Sequence, residues 1–185
     1  RQTFKYFWDG AEPNSGMAFE RIHVGRKPTG RRDRTVATGG SGFGLLALLV
    51  AIERDFVTRE AAIKRLDRIV TFLEKADRFH GAWPHWLNGR TGRVVPFSQK
   101  DNGADLVETA YLAQGLLAAR QYLAKGSDTE KLLADRMDAL WRGIEWNWFR
   151  RDGQNVLYWH WSPDYGWEMN HKVRGYNECL ITYVL

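Results

Sequence analysis

One cysteine, Cys179, occurs in 185 residues. An intrachain disulfide is therefore excluded, and a cysteine-built metal site has no basis. Cys179 lies in an apolar stretch, which predicts a buried, inert thiol. Long hydrophobic runs are missing too. The longest, Phe43 to Ile52, is broken by Gly44 and stopped by Glu53 and Arg54. That falls short of the roughly 18–20 apolar residues that cross a bilayer, so no membrane span is expected. The glycines between Gly39 and Gly44 lack the Gly-Lys-Ser/Thr of a P-loop and the spacing of a dinucleotide fingerprint. Close approach between helix backbones is the expected use of them. His80, His85, His160 and His171 show no helical two-His spacing with carboxylates, so no zinc site is expected. The formal net charge of +5 gathers at Arg26, Lys27, Arg31, Arg32 and Arg34. No nucleic-acid motif accompanies it, and a solvated loop without a nucleic-acid partner is expected.

Apolar residues make up 44% of the chain and charged residues 26%, the balance of a folded domain. Helical periodicity predicts helices over 2–11, 39–54, 58–77, 104–124 and 128–149, with a last one starting near Tyr176. Residues 17–38 read as irregular. Two aromatic-rich stretches, 81–97 and 154–167, alternate like hairpins. Long helices in pairs punctuated by small hairpins predict an all-α, repeating α/α architecture in one domain spanning 1–185. The chain opens at Arg1 in a helix-like pattern with no signal peptide in front of it, and closes at Leu185 inside an apolar run. A piece of a longer chain, truncated at its C-terminus, is the expectation.

Three constellations carry possible chemistry. In Lys100-Asp-Asn-Gly-Ala-Asp105, followed by Glu108, two carboxyls are close enough to raise one another's pKa, as an acid–base enzyme needs. The same residues suit helix capping, by Asp101 or Asn102 with Asp105 in the first turn. In Gly175-Tyr-Asn-Glu-Cys179, Glu178 opens an apolar segment, where a carboxyl can serve as general acid. Pairing with Arg174 or capping is equally open. The third is aromatic: Trp83, His85, Trp86, Tyr158, Trp159, His160, Trp161, Tyr165 and Trp167. Flat rings with polar edges stack on sugars, yet they also fill cores, and strand alternation would send about half of them each way.

Five motifs, in order, cover almost the whole chain: Thr38-Gly-Gly-Ser-Gly-Phe-Gly-Leu45, Ala82-Trp-Pro-His-Trp86, Lys100-Asp-Asn-Gly-Ala-Asp-Leu-Val-Glu-Thr109, Trp159-His-Trp-Ser-Pro163 and Arg174-Gly-Tyr-Asn-Glu-Cys179. Together they resemble the bacterial endo-β-1,2-glucanase family, often labelled a glucoamylase-like domain. A related domain occurs in cyclic β-1,2-glucan synthases. The resemblance implies an (α/α)6 toroid, of which this chain would be the N-terminal half. It implies hydrolysis of internal β-1,2-glucosidic bonds with inversion, by an acid and a base about 6.5–9.5 Å apart. Glu178 would be the general acid, with Asp101 and Asp105 positioning sugar or water or supplying the base. Trp83, His85, Trp86, Trp159, His160, Trp161, Tyr165, Trp167, Arg174 and Asn177 would contact a β-glucan oligosaccharide or polysaccharide. A periplasmic or secreted location follows from the same resemblance. The alternatives are a noncatalytic glucan-binding or structural module and the glucan-processing domain of a cyclic β-1,2-glucan synthase.

Overall fold

The computed structural model describes residues 1–22, 25 and 34–185. Of the basic stretch only Arg34 is among them, 3.8 Å from the buried Glu12 carboxylate. The rest of that expected loop lies outside the described residues. Helices dominate: α1 (Gln2–Trp8), α2 (Thr38–Glu53), α3 (Arg59–Leu73), α4 (Leu106–Leu123) and α5 (Asp128–Arg142). Among the described residues no helix is long and apolar enough to cross a membrane.

The helices are of two kinds. α3 and α5 are amphipathic. α3 starts on Thr58, whose hydroxyl accepts from the Ala61 N–H, and buries Leu66, Ile69, Val70 and Leu73, which recur at helical spacing. α5 starts on a capping box between Ser127 and Glu130. Glu130 also pairs with Arg59 at the head of α3, at 2.6 Å. α2 and α4 are apolar on most sides and pack on each other. Their backbones touch: a Cβ on Gly42 would lie 2.1 Å from the Tyr111 carbonyl oxygen, and one on Gly115 2.4 Å from the Gly42 carbonyl oxygen. The glycine run thus serves close helix packing, as its spacing predicts. Trp83, Leu45, Leu66, Leu87, Leu112, Leu116 and Met137 lie at the centre of the resulting core.

Among the described residues five short strands decorate the helices. β1 (Thr35–Ala37), β2 (Trp86–Asn88) and β3 (Val94–Val95) form an antiparallel sheet in that order, with Val36 opposite Leu87 and Leu87 opposite Val94. The first aromatic stretch is therefore a hairpin, but a third strand joins it from the segment expected to be irregular. The second stretch does turn back at Ser162–Gly166, through hydrogen bonds of 2.8 and 3.0 Å, and its returning chain pairs with it again at Tyr158–Lys172, through isolated antiparallel bridges. Its strand β5 (His160–Trp161), however, pairs with β4 (Ala104–Asp105), the two residues before α4. Alternating aromatics specify a strand but not its partner. α5 also ends earlier than the predicted Phe149. Arg78 donates to the Leu140 carbonyl at 2.8 Å, and the Gly143 N–H closes on Ala139. A short 3-10 turn, Trp146–Arg150, follows. The last element is likewise a 3-10 turn, Glu178–Tyr183, rather than an α-helix.

Candidate active site

The site gathers where β4 runs into α4. Asp105, fully buried, is the N-cap of α4: its Oδ1 accepts from the backbone N–H groups of Val107 (3.1 Å) and Glu108 (2.9 Å). The same oxygen accepts from the Trp159 indole N–H at 2.8 Å. Its Oδ2 lies 3.0 Å from His85 Nδ1, a contact in which the imidazole donates because an ionised carboxylate only accepts. His160 Nε2 is 3.7 Å from that oxygen and 3.7 Å from Asp101 Oδ2. Capping and site-building are thus one arrangement at Asp105. The cap expected at Asp101 or Asn102 sits at Asp105 instead.

Asp101 has the opposite surroundings. It lies in a tight turn before β4, where its N–H donates to Ser98 and its carbonyl accepts from Phe97. Its side chain is buried, and Oδ1 has no hydrogen-bond partner among the described residues. Burial, reinforced by the Asp105 charge and partly offset by His85, pushes its carboxyl up to about 7. Burial alone would lower the His85 pKa, but the hydrogen bond and charge of Asp105 raise it on balance. Burial lowers that of His160. A carboxyl pushed up, one imidazole raised and another lowered thus share one cluster, which is the condition for acid–base work.

Further groups frame the cluster. Glu108 accepts from the Gly39 N–H at the head of α2, at 2.8 Å. Its carboxyl is raised, first by burial and then by Asp105. The Thr38 hydroxyl and N–H donate to the carbonyls of Pro84 (2.5 Å) and His85 (3.1 Å), locking the His85 strand to the same helix. Trp159 packs against both His160 (5.6 Å) and His171 (4.9 Å), whose rings also approach each other at 5.9 Å. Trp86 and His85 both touch the Phe97 ring. Glu178 is exposed, and its carbonyl accepts from the Tyr111 hydroxyl of α4 at 2.6 Å. Cys179 below it is buried against Val107 and Val173, as expected of an inert thiol, and burial raises its pKa. Asn177 caps the 3-10 turn through the Cys179 N–H (2.9 Å), and its amide donates to the Arg174 carbonyl (3.0 Å). Among the described residues Arg174 makes no ion pair with Glu178.

The structure therefore brings Asp101, Asp105, His85, His160 and Trp159 together, with Trp86 beside them. Other expected sugar contacts stand apart. Trp83 is fully buried in the core, its indole N–H donating to the Leu73 carbonyl (3.3 Å) and Arg78 stacked 4.2 Å over its ring. It has no free face for a ligand. Trp161 and Trp167 point away from the carboxyls and pack with Phe79 and Phe149, since neighbours along a strand face opposite ways. The Tyr165 hydroxyl accepts from Gln99 at 2.9 Å, at the rim. Sequence reasoning passed over Glu108, Phe97, Tyr111 and His171 as site residues. Glu108 was signalled only by its place three residues after Asp105. One nitrogen of His85 and carboxylate oxygens of Asp101 and Asp105 come within 4.8 Å of one another, a donor set of metal-binding type. Asp105, however, already receives four donors across its two oxygens, and the Asp101 carboxyl favours its proton. The set is suited to holding protons rather than a cation.

No protein-family model matches the chain. A curated protein of Parabacteroides distasonis, an exo β-1,2-glucooligosaccharide sophorohydrolase (non-reducing end), is 52% identical over 185 residues, covering 99% of this chain and 25% of its own length. The solved structure of the Chitinophaga pinensis endo-β-1,2-glucanase, complexed with sophorotriose and glucose, is 63% identical with a TM-score of 0.95, over 99% of this chain and 44% of that one. Both of these relatives are named β-1,2-glucan hydrolases. A β-1,2-glucanase structure from P. distasonis agrees, at 51% identity and a TM-score of 0.90 over 97% of this chain and 25% of that one. The resemblance carried by the five motifs thus holds along nearly the full sequence. The chain spans a quarter of the length of the curated relative and under half of the C. pinensis structure.

Proposed function

We propose that this chain belongs to an enzyme that hydrolyses internal β-1,2-glucosidic bonds of β-1,2-glucan with inversion. The observation that carries this is the cluster of Asp101, Asp105, His85 and His160, built from motifs of a chain 63% identical to an endo-β-1,2-glucanase. Glu178 donates a proton to the glycosidic oxygen as the bond to the anomeric carbon breaks. A water attacks that carbon from the opposite face and gives its proton to a carboxylate base. Asp105, saturated by its donors, positions His85 and Trp159. His85, Trp86, Trp159, His160, Arg174 and Asn177 contact the glucan, with Tyr165 at the rim. No organic cofactor or metal is required by this chemistry.

A second assignment has its own support. Asp101 is buried and holds its proton to about pH 7, so it can serve as the acid in place of Glu178. The exo-acting relative likewise favours release from chain ends as a second mode. The 185 residues are taken as one glucoamylase-like domain, the N-terminal half of an (α/α)6 toroid. The share of its relatives' length and the exposed apolar side chains Phe43 and Val50 on α2 support this. A periplasmic or secreted location goes with such a substrate.

The test is incubation of the full-length protein with linear β-1,2-glucan and chromatography of the products. A ladder of short oligosaccharides is expected; a single short product from chain ends would move the assignment to the exo mode. Glu178→Gln should lower turnover roughly 10²–10⁴-fold, the worth of a general acid, with the fold retained. Near-normal turnover in that variant, with loss in Asp101→Asn, would transfer the acid role to Asp101. Glucan binding without products would favour a binding module.

A further inference from the structure

Phe97 keeps about half of its surface in water, 52% exposed, although it is held in place on several sides. Its N–H donates to the Asp101 carbonyl at 3.0 Å, and the Asp101 N–H returns to Ser98 at 3.1 Å. The backbone turn therefore ties the ring's position to that of the buried carboxyl. The ring centroid lies 4.5 Å from that of His85 and 4.8 Å from that of Trp86. His85 is in turn anchored to Asp105. Single exposed apolar residues are ordinary on a protein surface. This one differs in its company, because both rings it touches belong to the motif at the carboxyl cluster. Trp86 is itself only half-buried and is fixed in β2 between Ala37 and Val95. Two rigid aromatic rings, partly wet and beside acid–base groups, meet at 50°, so each offers its own flat apolar face to the C–H side of a pyranose ring. A filler of the core would instead be driven out of water, since burial of its apolar surface is favourable.

We propose that Phe97 and Trp86 form a stacking subsite for one glucosyl ring of the glucan, next to the Asp101–Asp105 cluster. The subsite rests on the glucan-hydrolase function proposed above and adds to it a binding residue, Phe97, from the turn before β4. It acts through flat contact, so ring shape matters and bulk alone does not. Phe97→Leu keeps an apolar side chain but removes the plane; Phe97→Trp restores a plane.

The experiment uses the full-length protein and its Phe97→Leu and Phe97→Trp variants. Calorimetric Kd and steady-state KM and kcat are measured on β-1,2-gluco-oligosaccharides, with β-1,3-, β-1,4- and α-1,4-gluco-oligosaccharides in parallel. Phe97→Leu should raise Kd and KM roughly two- to twelvefold, the worth of one aromatic pair contact, with kcat changed less and the melting temperature kept. Phe97→Trp should return both toward the parent value. Parent-like affinity in Phe97→Leu would overturn the subsite while leaving the β-1,2-glucanase function standing. Phe97-dependent binding of a different glucan would do the reverse. If the parent protein binds none of the four, both fall.

Discussion

Asp101 and Asp105 stand four positions apart in one motif, yet their surroundings divide them. Asp105 receives donors from two backbone amides, an indole and an imidazole. Asp101 is buried with one oxygen unpartnered. The consequence is a pH dependence with a definite sign. The folded Asp101 carboxyl holds its proton up to about pH 7, against an ordinary value of 3.8, so folding is favoured where the group is protonated. This contribution is fully present below about pH 4 and is lost as pH rises through about 7, by an upper bound of about 4 kcal/mol. Asp101→Asn stays neutral throughout. Its stability relative to the parent, measured by urea denaturation, should therefore rise between pH 5 and pH 8. A constant difference would remove Asp101 as the titrating group. The proximity of two carboxyls was legible in the motif. Which of them is saturated was not, because the donors Trp159 and His85 come from segments 54 and 20 residues away.

The glycines of α2 show how helix packing reverses an ordinary preference. Alanine in a helix interior is usually better than glycine by about 1 kcal/mol. At Gly42 the added Cβ would lie 2.1 Å from a backbone carbonyl oxygen of α4, and neither backbone can yield cheaply. Gly42→Ala should cost at least about 1–3 kcal/mol, the range of overpacked cores, seen as a lower denaturation midpoint. Gly40→Ala, whose Cβ would meet only the Ala37 Cβ at 3.3 Å, should be close to neutral. Equal effects at the two positions would contradict close packing at Gly42. The helices follow from local periodicity and were legible. The pairing of β5 with β4 was not, and it decides that His160 faces the carboxyls while Trp161 faces Phe79.

Along one side of the molecule an apolar surface is left uncovered. Phe43 and Val50 on α2 are 48% and 54% exposed; Leu180, Tyr183 and Val184 are exposed as well. Phe43 touches Tyr111, whose hydroxyl reaches the Glu178 carbonyl, so this face adjoins the proposed acid. Several large apolar side chains exposed on neighbouring elements suit a contact face. The 185-residue chain alone should bind the dye ANS and self-associate as concentration rises, by light scattering. Replacing Phe43 and Val50 with serine should weaken both. A chain that stays monomeric and dye-silent would count against an unfilled partner face, and with it against the half-toroid.

Sequence alone determined the helical class, the carboxyl-bearing motifs and the likeness to β-1,2-glucan hydrolases, because periodicity and motif order are local properties written along one chain. Tertiary structure decided the rest. It made Asp105 a cap and a hub, left Asp101 buried with its carboxyl pushed up to about 7, placed Trp83 in the core and Trp86 beside Phe97, and turned Trp161 away from His160. Each of these depends on which distant segment a side chain meets, and burial and long-range hydrogen bonds exist only once those segments have come together.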